Sequence, residues 1–208
     1  MTEVKICGLT RPRDVEVACE LGASCVGFNF AAVSPRRVRV GAARELASSA
    51  AAGVVKVGVF VDESREEILA AVEEASLDAI QIHRPLREDD LDLPRPVLAV
   101  ARVRNGSAVL PAPELLSRCR YVLVDSDRAG MPGGTGMPAD WKALSGRSWP
   151  VPLMLAGGLN PANVEEAIET VRPAAVDVAS GVESAPGIKD ENRMRLFFEA
   201  VARADARP

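Results

Sequence analysis

Short apolar runs along the chain predict eight strands, many of them rich in the β-branched residues typical of strands buried on both faces. They lie at 4–6, 25–30, 54–61, 79–82, 97–103, 121–124, 152–155 and 175–178. Between many of these runs, apolar residues recur at intervals of three and four, as on the buried face of a helix. The pattern therefore predicts an alternation of strands and helices.

Several predicted helices carry recognisable start signals. Ser64 and Glu67 have the spacing of a capping box. Asn160 and Pro161 predict the cap and first residue of a helix whose apolar face begins at Val164. The helical pattern is weakest between the fourth and sixth strands, where proline and arginine interrupt it.

The repeated unit decides the fold class. Eight strand–helix units within 208 residues, without a linker or a change of composition, favour an α/β fold of the (β/α)8 (TIM) barrel type. We expect one domain covering residues 1–208. A doubly wound parallel sheet is the alternative, but no G-x-G-x-x-G motif follows the first strand.

Composition and charge exclude several classes of function. The chain is 48% hydrophobic and 26% charged with a formal net charge of -4, which argues against a nucleic-acid partner. No apolar run is long enough to cross a bilayer, and the opening MTEVKICGLT lacks the layout of a signal peptide. We therefore expect a cytoplasmic protein with no membrane partner.

The cysteines do not form a metal-binding pattern. The four cysteines have no C-x-x-C spacing, and the chain contains one histidine. We expect no metal site, and we expect Cys19, Cys25 and Cys119 to be buried packing residues.

The barrel prediction places the candidate chemistry at the C-terminal ends of the strands, where such barrels form their active sites. Cys7 follows the first strand, His83 follows the fourth and Asp125 ends the sixth. A carboxyl group in a partly dry barrel mouth favours its protonated form and suits a general acid. Asp127 is close enough to compete with Asp125 for this role.

Two loops near the end of the chain predict phosphate binding. Gly157 and Gly158 precede a predicted helix, and Ser180 and Gly181 form a second small turn after the eighth strand. Loops after strands seven and eight form the common phosphate site of these barrels. Earlier in the chain, Arg36 lies in the polar loop SPRR, where an arginine can hold a carboxylate by two parallel hydrogen bonds.

These motifs resemble the phosphoribosylanthranilate isomerase family of tryptophan biosynthesis. The resemblance runs in order from residue 4 to about residue 200. It rests on KICGLT, VGFNF with SPR, GVFVD, QIH, VLVD with GGTG and DW, AGGLNPANV and VDVASGVESAPGIKD.

The resemblance implies a cofactor-free Amadori rearrangement of N-(5′-phosphoribosyl)anthranilate, with this small phosphoribosyl molecule as the partner. It implies Cys7 as the general base, Asp125 as the general acid and Arg36 as the group that holds the anthranilate carboxylate. The phosphate would lie on the two glycine loops, with Asp177 nearby. A free thiol would need only a modest downward shift of its pKa to act as this base near neutral pH.

Some alternatives stay open at this stage. Arg84 and Pro85 depart from the glycine that usually follows the family's histidine, which leaves the role of His83 open. Rival functions are another sugar-phosphate barrel isomerase, including one that serves both histidine and tryptophan pathways, and a non-catalytic phospho-ligand-binding relative. The sequence does not determine the oligomeric state.

Overall fold

The computed structural model describes residues 1–104, 107–125 and 141–207, and within them eight parallel strands close into a barrel. The first four strands pair with one another in chain order, and so do the last four. The first strand also pairs with the eighth, and the fourth pairs with the fifth, which closes the barrel. A short strand, Ser107–Val109, pairs antiparallel with the end of the fifth strand. The predicted (β/α)8 barrel is confirmed. The barrel strands are Glu3–Cys7 (β1), Cys25–Asn29 (β2), Val55–Phe60 (β3), Ala79–Ile82 (β4), Val97–Arg104 (β5), Tyr121–Asp125 (β6), Leu153–Ala156 (β7) and Ala175–Val178 (β8).

The predicted alternation with helices has an exception after β4. A 3-10 turn, Glu88–Asp92, replaces a helix there, because the segment before β5 is short and contains three prolines. Another 3-10 turn, Trp141–Ala143, lies in the described part of the segment before β7. After β8, the 3-10 turn Ser180–Val182 and a small hairpin, Glu183–Ala185 with Ile188–Lys189, precede the last helix. The α-helices are Pro12–Glu20 (α1), Val40–Ser48 (α2), Arg65–Glu74 (α3), Pro113–Leu116 (α4), Val164–Val171 (α5) and Glu191–Asp205 (α6).

The predicted caps have different outcomes. The capping box of α3 is confirmed, since the Glu67 backbone N–H donates to Ser64 Oγ at 3.2 Å and the Ser64 N–H donates to Glu67 Oε2 at 2.7 Å. The predicted start of α5 at Pro161 is wrong, because the helix begins at Val164. Asn160 Oδ1 accepts a hydrogen bond from the backbone of Ala162 at 2.9 Å, which makes a separate turn before the helix.

The core has two parts. The larger part lies between the outer face of the sheet and the helices, and a smaller apolar cluster including Val57, Leu123 and Met154 fills the barrel interior. Side chains alternate between these two faces along each strand, as in any pleated sheet. Within the described residues, no helix has the length and apolar character needed to cross a bilayer.

The cysteines outside the candidate site largely follow the packing prediction. Cys25 lies in the barrel interior and Cys119 in the outer core, and both are buried as expected. Cys19 is only partly buried, because it lies near the end of α1 and packs against the edge of the outer core. All three are free thiols.

Candidate active site

A cavity of about 520 Å³ opens at the C-terminal ends of the barrel strands and brings together eight of the predicted site residues. Gly181 does not line it, and Asp62, which follows β3, lines a separate charged depression. Asp127 and the glycine-rich loop after β6 lie outside the described residues. The predicted residues in the cavity wall are Cys7, Arg36, His83, Asp125, Gly157, Gly158, Asp177 and Ser180.

The inward rows of the strands explain this convergence. Cys7 ends β1 in register with Gly27 of β2, and Asp125 ends β6, three strands around the barrel from β1. Each continues the row of side chains that points into the barrel, so each reaches the cavity at the point where its strand stops. A thiol and a carboxyl group therefore line one cavity from different sides.

The Cys7 thiol lies at the cavity wall with 8% of the residue exposed. Burial raises the pKa of this thiol above its ordinary value, and the positive charges of Lys5 and Lys189 oppose that effect without overcoming it. A thiol pKa held above its ordinary value differs from the downward shift that a general base near neutral pH needs.

Lys5, which sequence reasoning missed, lies one layer below Cys7 on the same inward face of β1. Its ammonium donates to Asp177 Oδ1 at 2.8 Å, and its side chain is fully buried. Burial is the largest single influence on the pKa of Lys5 and lowers it, but the charges and hydrogen bonds of Asp177 and Cys7 together outweigh burial and raise the pKa above its ordinary value. Asp177 lines the cavity as expected, and its partner Lys5 lies beneath the cavity wall.

Arg36 lies in the cavity wall but is held by a carboxylate of the chain itself. Its Nε donates to Glu183 Oε1 at 2.8 Å and its Nη2 donates to Glu183 Oε2 at 2.7 Å. The bidentate geometry expected for a substrate carboxylate is thus made with Glu183 on this edge of the guanidinium. No hydrogen bond of Arg36 Nη1 is found among the described residues, which leaves the other edge for a ligand.

Glu183 also binds a second buried cation. Lys189 Nζ donates to Glu183 Oε1 at 2.8 Å and to the backbone carbonyl groups of Cys7 at 2.6 Å and Ala179 at 3.1 Å. Burial opposes ionisation of Glu183, yet hydrogen bonds and charges from Arg36 and Lys189 hold the pKa of this carboxyl below its ordinary value. The network joins the end of β1, the loop after β2 and the segment after β8.

The two glycine loops after β7 and β8 pack directly on each other. Gly157 and Gly158 have positive φ angles of 87° and 65°, in the region that favours glycine. A Cβ atom on Gly181 would lie 1.9 Å from the Leu159 carbonyl oxygen, so only glycine allows this approach. Gly181 thus shapes the rim from behind, while Ser180 faces the cavity.

His83 lies beside a polar residue that sequence reasoning missed. Gln81 Nε2 and His83 Nε2 are 2.6 Å apart, and both residues line the cavity. The departure at Arg84 leaves this arrangement in place, because the Arg84 guanidinium turns to Asp90 and makes two 2.6 Å hydrogen bonds there. Arg84 is thereby directed away from the cavity.

Fold and site together define a (β/α)8-barrel enzyme whose mouth combines a thiol, a carboxyl group and two glycine loops suited to a phosphate. Comparisons with known proteins narrow the class. The family model described as N-(5'phosphoribosyl)anthranilate (PRA) isomerase matches residues 4–200. The chain belongs to the N-(5′-phosphoribosyl)anthranilate isomerase family, and its activity is that isomerisation.

Individual members of the family are similar to this protein along nearly the whole chain. The N-(5′-phosphoribosyl)anthranilate isomerase of Pseudomonas fluorescens is 42% identical over 199 residues, covering 95% of this chain and 94% of that protein. The crystal structure of the Thermotoga maritima phosphoribosyl anthranilate isomerase superposes with a TM-score of 0.86 at 33% identity, covering 98% of this chain and all of the other. A structure of such an isomerase in complex with reduced 1-(o-carboxyphenylamino)-1-deoxyribulose 5-phosphate has a TM-score of 0.80 at 32% identity, with 98% and 100% coverage.

Proposed function

We propose that the cavity at the barrel mouth isomerises N-(5′-phosphoribosyl)anthranilate by acid–base catalysis, with Asp125 as the general acid and Cys7 as the general base. The observation that carries these roles is their position. Cys7 and Asp125 end β1 and β6 on the inward face and line the same cavity of about 520 Å³. A cavity of this volume is in the range in which small-molecule ligands bury most of their surface.

The proposed reaction needs one proton donor and one proton acceptor. Asp125 protonates the ribose ring oxygen while the anilino nitrogen donates its lone pair, so the C1′–O bond breaks and a protonated Schiff base forms. Cys7 then removes the C2′ proton, and the electrons of that C–H bond neutralise the Schiff base to give an enolamine. Tautomerisation of the enolamine to the ketone completes the Amadori rearrangement.

Binding groups for both ends of the substrate lie around the acid and the base. The phosphate would contact the backbone of Gly157 and Gly158 and the turn at Ser180, which is held against the first loop by the glycine at 181. The anthranilate carboxylate would bind the edge of Arg36 that Glu183 leaves open. His83 and Asp177 complete the wall of the cavity.

The proposal treats residues 1–208 as one catalytic domain with a small-molecule substrate. A cytoplasmic location follows from the biosynthetic role of the family and is part of the same proposal. A reaction in the histidine pathway is a second activity that the assay below separates from the first.

The test is turnover by the purified chain. Loss of the fluorescence of phosphoribosylanthranilate follows the reaction directly, and the same protein is assayed with the phosphoribosyl substrate of the histidine-pathway isomerase. We expect turnover of the anthranilate compound and none of the other. Binding of the reduced product without any turnover would contradict the proposal and support a non-catalytic phospho-ligand-binding protein.

A further inference from the structure

Lys5 occupies an unusual place for a charged side chain. It lies inside the barrel with 0% of its side chain exposed, and the apolar cluster of that interior includes Val57, Leu123 and Met154. Burial of a lysine ammonium is strongly unfavourable, and a buried ion pair is often no more stabilising than apolar residues of the same volume. A contribution to stability therefore does not explain why a lysine occupies this position, and the groups around Lys5 suggest a different role.

The ammonium of Lys5 and the sulfur of Cys7 converge on one spot on the neighbouring strand. A Cβ atom on Gly27 would lie 2.9 Å from Cys7 Sγ and 3.2 Å from Lys5 Nζ. Lys5 and Cys7 are two residues apart on β1, so both point inward, and the glycine opposite them makes room for both groups. A cation on the same strand therefore lies close to the proposed base.

We propose that Lys5 is a positioning residue for the isomerisation, which acts through Cys7 by stabilising the thiolate that removes the substrate proton. This inference rests on the proposed role of Cys7 as the base. The ammonium of Lys5 is shared between two negative groups, the Asp177 carboxylate and the thiolate. Asp177 therefore limits how strongly Lys5 stabilises the thiolate form of Cys7.

Other charges also face Cys7, but they have other partners. Lys189 Nζ is bound by Glu183 and two backbone carbonyl groups, and the Arg36 guanidinium is bound by Glu183 along one edge. Burial raises the pKa of the Cys7 thiol most strongly, Lys5 is the largest influence that lowers it, and Asp177 raises it again. Lys5 and Asp177 thus have opposite effects on the pKa of Cys7, and this difference provides a test.

The test measures the pKa of Cys7 from the pH dependence of its alkylation by iodoacetamide. Mass spectrometry of the Cys7 peptide separates its rate from those of the other cysteines, and Cys119 in the outer core reports any general loosening. We expect Lys5→Met to slow alkylation of Cys7 at pH 7.5 by about tenfold, and Asp177→Asn to accelerate it, because the two replacements remove charges of opposite sign.

Opposite shifts of the Cys7 pKa in the two variants support the inference. Shifts in the same direction, or no shift in either, overturn it, because a merely structural disturbance has no reason to follow the sign of the charge. If Lys5→Met does not fold, Asp177→Asn decides alone, and a Cys7 pKa that stays constant or rises overturns the inference.

Kinetics adds a second measurement. In Lys5→Met we expect the rising limb of the pH profile of kcat/KM to move to higher pH, with KM changed less than about twofold. The failure of this inference is distinguishable from that of the proposed function. Full activity of a Cys7→Ala variant would remove Cys7 as the base, whereas the alkylation experiment reports on the thiol without any turnover.

Discussion

The two ends of the barrel contain cavities of similar volume and very different electrostatics. At the N-terminal end, a cavity of about 560 Å³ is lined by Thr2, Arg172, Asp205 and Arg207 among others. Its ion pairs lie at the surface, as between Arg207 and Glu169, whose side chains are 60% and 40% exposed. The mouth at the C-terminal end has a similar volume, about 520 Å³, but the ion pairs in and beneath its wall are largely shielded from solvent.

The buried charges at the mouth are those of Lys5, Lys189 and Glu183, with side-chain exposures of 0%, 0% and 4%. Exposed ion pairs contribute little to stability, whereas buried ones carry a large desolvation cost. Volume therefore does not distinguish the two cavities, and the concentration of buried charge does. The comparison predicts that changes at the mouth act on turnover or substrate binding, and that changes at the opposite end act mainly on stability.

The largest effect that sharpens this comparison is expected for Asp125→Asn. The amide cannot donate a proton to the ribose ring oxygen, and loss of a general acid slows turnover by on the order of 10²- to 10⁴-fold. Asp62→Asn is the matched control, because Asp62 also follows a barrel strand but lines a separate depression. A rate for Asp125→Asn equal to that of the control would remove Asp125 as the acid.

A smaller effect is expected for Arg36→Ala, and it concerns binding. Loss of hydrogen bonds to a charged group costs about 1.5–3 kcal/mol, which corresponds to a rise of KM by about 10- to 150-fold. We expect kcat to change much less, because the anthranilate carboxylate that Arg36 is proposed to bind is remote from the reacting carbons. Steady-state kinetics with phosphoribosylanthranilate gives both constants, and an unchanged KM would exclude Arg36 from the site.

Glu183→Gln tests whether the internal partner of Arg36 orients it. The introduced amide could accept from one of the two cations but would carry no charge, so we expect KM to rise by less than in Arg36→Ala and the melting temperature to fall. Glu183→Asp retains the charge and should recover part of the loss in both. Wild-type KM and melting temperature in Glu183→Gln would contradict a role for the network.

The smallest effect is expected at the N-terminal end of the barrel. Thr2 Oγ1 donates to Asp205 Oδ1 at 2.7 Å, so Thr2→Val removes one partly exposed hydrogen bond. We expect a loss of about 1 kcal/mol in the free energy of unfolding and no change in kcat or KM. Denaturant unfolding and the fluorescence assay on the same preparation check this, and a large loss of turnover would contradict the contrast between the two ends.

Much of the site could be predicted from sequence because it follows from strand ends. Cys7 and Asp125 each end an apolar run, and the alternation of a strand directs both inward once the barrel is recognised. The glycine loops likewise carry their signal locally. The strand positions could be predicted because each strand is a local apolar run. The segment after β4 forms a 3-10 turn instead of the predicted helix, because its prolines lack the backbone N–H groups that donate helical hydrogen bonds.

The charge network could not be predicted in this way. Arg36 and Glu183 are 147 residues apart, and no local pattern shows that their side chains meet. Lys5 stands within an apolar run, where its spacing from Cys7 indicates a shared face but gives no indication of the Asp177 carboxylate on the adjacent strand β8. The tertiary contacts, and the burial that gives these charges their effect, come only with the fold.

The central claim is that the Cys7 thiol performs the chemistry without being needed for binding, and one paired measurement on Cys7→Ala tests it most directly. Turnover of phosphoribosylanthranilate is measured beside the Kd for the reduced product, with Cys119→Ala as the control thiol. We predict that kcat falls on the order of 10³-fold while Kd stays within about threefold of the wild-type value. A Cys7→Ala variant that turns over substrate at a rate close to that of Cys119→Ala would contradict the account.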